Sequence, residues 1–106
     1  PVPVELDVTL DERLPLSVET TAYFVVAEAL TNVAKYARAS RVSVAVRVVA
    51  EQLEIEVLDD GVGGADPAGG TGLRGLADRV AAMRGALHVS SPPGRGTRIH
   101  ARISLN

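Results

Sequence analysis

The chain opens on a strict alternation: in "VELDVTL" the apolar Val4, Leu6, Val8 and Leu10 are separated by Glu5, Asp7 and Thr9. Successive side chains of a strand point to opposite faces, so this period of two predicts a half-buried strand. "DERLP" interrupts it, and from about Ser17 to Ala39 the period lengthens. Ala22, Val25, Val26, Ala29, Leu30, Val33 and Ala37 fall on one side at about 100° per residue, which predicts an amphipathic helix. Ser17 is its expected N-cap, with Glu19 in the first turn.

Alternation returns in "RVSVAVRVV", with Val42, Val44, Val46 and Val48 on one face, and again in "LEIEVLD", with Leu53, Ile55 and Val57. The short link "AEQ" predicts an antiparallel hairpin. From Asp60 to Thr71 the chain is glycine-rich, carries Asp66-Pro67 and has no periodicity, so a mobile loop is expected. A second helix is predicted from about Gly72 to Arg84, burying Leu73, Leu76, Val80 and Met83 and ending at Gly85 as C-cap. Two last strands, "ALHVSS" and "TRIHARISL", flank the turn "PPGRG". The order β-α-β-β-α-β-β, without repeat or linker, predicts a single domain over 1–106. Its expected class is α+β: a two-layer α/β sandwich with a mixed, mostly antiparallel sheet and helices on one face.

Composition narrows the function classes. Of the 106 residues 46% are hydrophobic but only 3% aromatic, so the core must be aliphatic. A net charge of −2, a pI near 5.6 and no Lys/Arg block give no drive toward nucleic acid. The lack of cysteine excludes disulfides and thiolate metal sites and fits a cytoplasmic setting, whether or not a parent protein is anchored in the inner membrane. No apolar run approaches the ~18 residues of a membrane span, and these residues show no signal-peptide pattern. Because the chain begins "PVPVEL" without Met, a fragment of a longer protein is expected.

The candidate chemistry starts at "GGTGLRGLADRV", where Gly70 to Gly75 match G-x-G-x-x-G. In a dinucleotide-binding turn a strand feeds the glycines and an acidic residue follows about 20 positions on. Here a proline-containing loop precedes them, and that position falls near Arg95. What survives is a glycine turn opening a helix, where free N–H groups and the helix dipole favour phosphate. On the first helix Glu28, Asn32 and Lys35 share one stripe away from the apolar face, and Glu28 and Asn32 are i,i+4 neighbours able to touch one ligand. Taken alone, that stripe reads first as a solvated face. "LDDGVGG" begins at a strand end, where Asp59 is followed by Gly61, Gly63 and Gly64; it is either an ordinary turn or a close approach to a ligand. Gly94-Arg95-Gly96-Thr97 alone reads as a hairpin turn.

The order of these motifs is more specific than any one of them. A helical E-x-x-x-N, then D-x-G-x-G after a strand, then a loop and G-x-G-L opening a helix, then G-x-G-T before a strand, resembles the Bergerat ATP-binding fold over nearly the whole chain. This is the catalytic and ATP-binding domain of sensor histidine kinases, shared with gyrase, Hsp90 and MutL ATPases. "EALTNVAKYARAS" and "GLRGLADRVAAMRGALHVSSPPGRGTRI" are most similar to the bacterial subgroup whose response regulators carry helix-turn-helix output domains.

The resemblance implies roles. Asn32 would give an amide oxygen to Mg²⁺ bridging the triphosphate of ATP. Glu28 would polarise a metal-bound water or act as a base, and Lys35 would reach a phosphate. Asp59 would accept the adenine amino hydrogen, with Thr97 assisting it. Gly61 and Gly63 would line the base pocket, Gly70, Gly72 and Leu73 would form the phosphate turn, and residues 60–71 would be a lid. Two positions depart from the pattern: Asp60 stands where these kinases usually carry Asn, and Tyr36 where many carry His. Neither His88 nor His100, each within a predicted strand, fits a phosphoacceptor. The implied partners are therefore a dimerisation and histidine phosphoacceptor domain of the same protein and, indirectly, a response regulator, the isolated domain being monomeric. An anti-sigma-factor-type serine kinase, and a nucleotide-binding module without transfer, are the alternatives.

Overall fold

Five strands make one sheet in the order β1-β2-β3-β5-β4: β1 (Val4–Thr9), β2 (Val42–Val49), β3 (Gln52–Asp59), β4 (Gly85–Ser90) and β5 (Thr97–Ser104). The computed structural model describes residues 2–10, 13–64 and 72–105, apart from the side chains of 36 and 37. β1 runs parallel to β2, and every other pairing is antiparallel. Helices α1 (Leu16–Asn32) and α2 (Leu73–Ala81) lie on one face, α1 against β3 and β5, α2 against β4 and β5. The α+β two-layer sandwich and its element order are those the periodicities predict. Among the described residues no helix is long and apolar enough to cross a membrane.

The core is aliphatic. Leu53, Ile55 and Val57 of β3 and Ile99, Ala101 and Ile103 of β5 alternate onto the helix-bearing face and are 0–4% exposed. Val25 and Ala29 of α1 and Val80 of α2 meet them at 0% exposure. Each buried valine or leucine contributes about 1.5–3 kcal/mol relative to an exposed one, so this lattice of branched chains supplies the fold's driving force without rings.

Four local expectations are corrected. β1 forms where the alternation places it, but its apolar face is not buried: Val4, Leu6 and Val8 are 49%, 67% and 50% exposed, because α1 packs mainly on β3 and β5 and leaves an open groove beside this edge strand. Ser17 is not the N-cap. Pro15 holds that position, its carbonyl accepting the N–H groups of Val18 and Glu19, and the Glu19 carboxylate reaches back to accept the Leu14 N–H. The helix is not one regular rod to Ala39 either. α1 ends at Asn32, a π-helical turn follows over Val33–Ala37, and Arg38 leaves in the left-handed conformation at φ 51. The angular count that placed Lys35 beside Glu28 stops at Asn32, because a π turn carries more residues than an α turn. Lastly, Gly85 is the first residue of β4 and not a C-cap. Arg84 takes the left-handed position at φ 57, while a side chain at Gly85 would overlap the Arg102 carbonyl across the strand pair.

Candidate functional site

Two loops are joined to each other before any ligand is considered. β3 ends at Asp59, directly opposite Thr97, the first residue of β5. Beyond them the chain segments stay together: Gly94 N–H donates to the Val62 carbonyl at 2.6 Å, and Gly64 N–H to the Ser91 carbonyl at 2.7 Å. Glycine is required at two of the contacts. A Cβ on Gly63, at φ 66, would overlap the Pro92 carbonyl, and one on Gly96, at φ 76, would overlap the Asp59 carbonyl. The "DDGVGG" loop and the "PPGRG" turn thus form one backbone-locked unit at the end of the sheet, a contact that no sequence signal marks.

Within that unit Asp59 Oδ1 accepts the Gly61 N–H at 2.8 Å, an Asx-type turn that aims the carboxylate. Thr97 and Ser91 share a hydroxyl hydrogen bond of 2.6 Å. Asp60 turns away. Its carboxylate accepts from the Ser40 hydroxyl, the Ser40 N–H at 2.8 Å and the Arg41 N–H at 3.1 Å, tying the loop after β3 to the chain entering β2. Those three donors, the Ser40 hydroxyl first, hold its carboxyl down from 3.8 to about 2. The unusual second aspartate therefore serves a backbone junction.

The other wall is α1. Glu28 and Asn32 lie one α turn apart within its regular part, as the i,i+4 spacing predicts. Asn32 Nδ2 is buried with no hydrogen-bond partner among the described residues. An unpaired buried amide group costs about 1–3 kcal/mol, and interchange of the amide oxygen and nitrogen places either one at that point. Glu28 faces Gly72, the N-cap of α2 at φ 84. A Cβ on Gly72 would overlap Glu28 Oε1, so the two helices meet there only because residue 72 has no side chain.

The remaining predicted residues separate. Leu73 is 1% exposed and belongs to the core, anchoring the first turn of α2. Lys35 is exposed on the π turn. Gly70 and the segment 65–71 lie outside the described residues, as does the side chain of Tyr36. Gly75, the third glycine of G-x-G-x-x-G, has open space where its Cβ would be, so it makes no close approach of the kind a dinucleotide turn needs. His100 Nε2 lies 3.0 Å from Glu54 Oε1 and His88 is exposed opposite it; both sit mid-strand on the solvent side of the sheet. Sequence reasoning missed Phe24 and Arg79, whose side chains stack beside Glu28 and Gly72 with Arg79 Cζ 4.1 Å above the Phe24 ring. The available signal was rarity, since Phe24 is the one phenylalanine in the chain.

This geometry has relatives. Residues 17–106 match the family model described as histidine kinase-, DNA gyrase B-, and HSP90-like ATPase. The chain is 31% identical over 108 residues to the sensor histidine kinase LiaS of Bacillus subtilis, covering 99% of this chain and 30% of that protein. It is 36% identical over 98 residues to the oxygen sensor histidine kinase NreB of Staphylococcus carnosus, covering 89% of this chain and 28% of that protein. It therefore spans less than a third of either relative. Among solved structures, the blue-light activated histidine kinase of Erythrobacter litoralis EL346 superposes with a TM-score of 0.81 at 27% identity, over 98% of this chain and 35% of that one. The Acinetobacter baumannii histidine kinase AdeS shares the fold, with a TM-score of 0.74 at 21% identity over 99% of this chain and 55% of that one.

Proposed function

The chain belongs to the histidine kinase-, DNA gyrase B- and HSP90-like ATPase family, and from that premise we propose that it binds Mg-ATP and passes the γ-phosphoryl group to a histidine on a separate phosphoacceptor domain. The observation that carries the reading is the buried amide Nδ2 of Asn32, without a hydrogen-bond partner among the described residues, one turn along α1 from a carboxylate that faces the N-terminus of α2.

The donor set suits the ligand. Mg²⁺ keeps several waters and takes most of its charge balance from phosphates, so one neutral amide oxygen from Asn32 is an adequate protein ligand. When bound, the ion draws negative charge off the phosphates. The free N–H groups at the start of α2, beginning at Gly72, offer the phosphates donors and the positive end of a helix dipole. Asp59, with one oxygen committed to Gly61 N–H, keeps the other for the adenine amino group, a contact that guanine, with a carbonyl there, does not make. Gly61 and Gly63 bring backbone close to the base, and Thr97 sits beside Asp59 to support it.

In the transfer itself the bond between Pγ and its bridging oxygen breaks as a ring nitrogen of the acceptor imidazole attacks, leaving ADP. The chain's contribution is alignment and electrostatics, the main requirements of phosphoryl transfer. In this reading Glu28, whose carboxylate faces Gly72, takes or orients a proton at the phosphate end, and Lys35, which the π turn parts from the Glu28 stripe, meets phosphate charge from the solvent side. The acceptor histidine, the response regulator downstream and a monomeric state for the isolated domain complete the reading.

Calorimetric titration with ATP, with and without Mg²⁺, tests it, with GTP and Asn32→Ala as controls. Saturable binding that prefers ATP, with a Mg²⁺ dependence that vanishes in Asn32→Ala, is expected. Equal affinity for GTP, or Mg²⁺ dependence that survives the substitution, would refute the assignment.

A further inference from the structure

Helix α2 carries the phosphate-facing Gly72, and three of its residues, Leu73, Leu76 and Val80, fix its depth on the sheet at 1%, 4% and 0% exposure. Depth alone leaves its lateral position along α1 undetermined. That position decides how far the N–H groups at Gly72 stand from Glu28 and Asn32, and so whether a triphosphate can meet both walls.

The contact that sets it lies seven residues further on. Gly72, Gly75, Leu76 and Arg79 follow the i, i+3, i+4, i+7 spacing of one helix face. Phe24 and Glu28, four apart, make the facing stripe on α1. These six residues line an open cleft of about 320 Å³. At one end Glu28 fills the space over Gly72. At the other the Arg79 guanidinium lies 4.1 Å above the centre of the Phe24 ring, within range of a cation–π attraction. Phe24 is 40% exposed and contributes little to the core, so its ring is better placed for this contact than for packing.

We infer that Phe24 and Arg79 are a positioning pair, whose cation–π contact holds α2 beside α1 so that Gly72 stays seated against Glu28 and its phosphate donors face Asn32. The pair acts through Gly72. The inference rests on the ATP-binding reading above.

Calorimetry on this domain tests it with two ligands, Mg-ATP and adenosine, and four variants: Phe24→Leu, Phe24→Tyr, Arg79→Gln and the Leu/Gln double. Phe24→Leu keeps bulk and apolarity but removes the π face; Phe24→Tyr restores it. Mg-ATP affinity falls about two- to fivefold in Phe24→Leu and in Arg79→Gln, stays within about twofold in Phe24→Tyr, and falls no further in the double variant, as expected of one shared contact. Adenosine, which reports the Asp59 end alone, binds all four as it binds the unaltered domain. Unchanged Mg-ATP affinity in Phe24→Leu, or an equal loss for adenosine, would overturn the inference and leave the ATP-binding reading intact. Failure of the unaltered domain to bind Mg-ATP would overturn both. Arg79 is exposed, so Arg79→Gln remains a fair test should Phe24→Leu not fold.

Discussion

The Glu28 carboxylate occupies the space that a side chain on Gly72 would need, and Gly72 itself sits at φ 84. Two separate penalties therefore fall on Gly72→Ala. The left-handed backbone costs an L-residue about 1–2 kcal/mol, and the new methyl must push Glu28 aside. The variant is expected to be less stable in urea and weaker for Mg-ATP. Adding Glu28→Ala removes the steric part but not the backbone part, so the double variant recovers only some of the lost stability. Full recovery would show that the backbone conformation at residue 72 is relaxed.

Three residues on, the same substitution has the opposite sign. Gly75 lies inside α2, has nothing within 4 Å of its Cβ position and does not have positive φ. Alanine there removes unfolded-state freedom and improves helix propensity, worth about 0.5–1 kcal/mol. A rise of about 2–8 °C in Tm, with Mg-ATP affinity unchanged, is the expected outcome. A fall in Tm would mean that the third glycine of the motif is packed against something.

The contrast between these glycines shows what a sequence can and cannot carry. Periodicity located the five strands and two helices of the described residues, because all but β1 bury one face, and burial leaves its period in the chain. It also put Glu28 and Asn32 together, since i,i+4 geometry is intrinsic to an α-helix. Periodicity says which face is apolar but not what covers it, so the alternation of Val4, Leu6 and Val8 wrongly implied a buried face on an edge strand. The α-to-π change after Asn32 and the shift of the left-handed residue from Gly85 to Arg84 depend on tertiary fit. So do the lock between residues 62–64 and 91–94 and the turning of Asp60 toward Ser40.

The exposed edge strand makes its own prediction. Leu6 is 67% exposed and Ile55 is 0%. Leu6→Ser is expected to change stability by no more than about 0.5 kcal/mol, the range for surface substitutions. Ile55→Ala leaves a cavity between α1 and the sheet and costs about 2–5 kcal/mol. Equal losses in chemical denaturation would place a covering element over β1.

Asp59→Asn isolates base recognition from folding. The asparagine oxygen can still accept the Gly61 N–H now bonded at 2.8 Å, so the turn and the melting temperature are retained. In the proposed ATP site its other end would become an NH₂ donor facing the adenine amino group, and two donors cannot pair. ATP affinity is expected to fall at least about tenfold. Tight ATP binding by a folded Asp59→Asn domain would remove Asp59 from the adenine site.

Asp60 gives the domain a specific acid sensitivity. Its folded-state pKa is about 2 against an ordinary 3.8, because the Ser40 hydroxyl and the N–H groups of Ser40 and Arg41 all donate to the ionised carboxylate. A group whose pKa is lowered by folding stabilises the native state when it is ionised in both states. Its contribution is therefore complete above pH 3.8 and lost as the pH falls toward 2. The Asp60 side chain is exposed, so solvent and salt screen the contribution and it should shrink as ionic strength rises. Asp60→Asn keeps one acceptor oxygen for the junction with Ser40 but cannot titrate. Its urea midpoint should lie below that of the unaltered domain at pH 6 and converge with it as the pH falls below about 3. Parallel midpoint curves across that window would mean that the Ser40 and Arg41 donors do not hold Asp60 ionised, and that the strand β2 entry is fixed some other way.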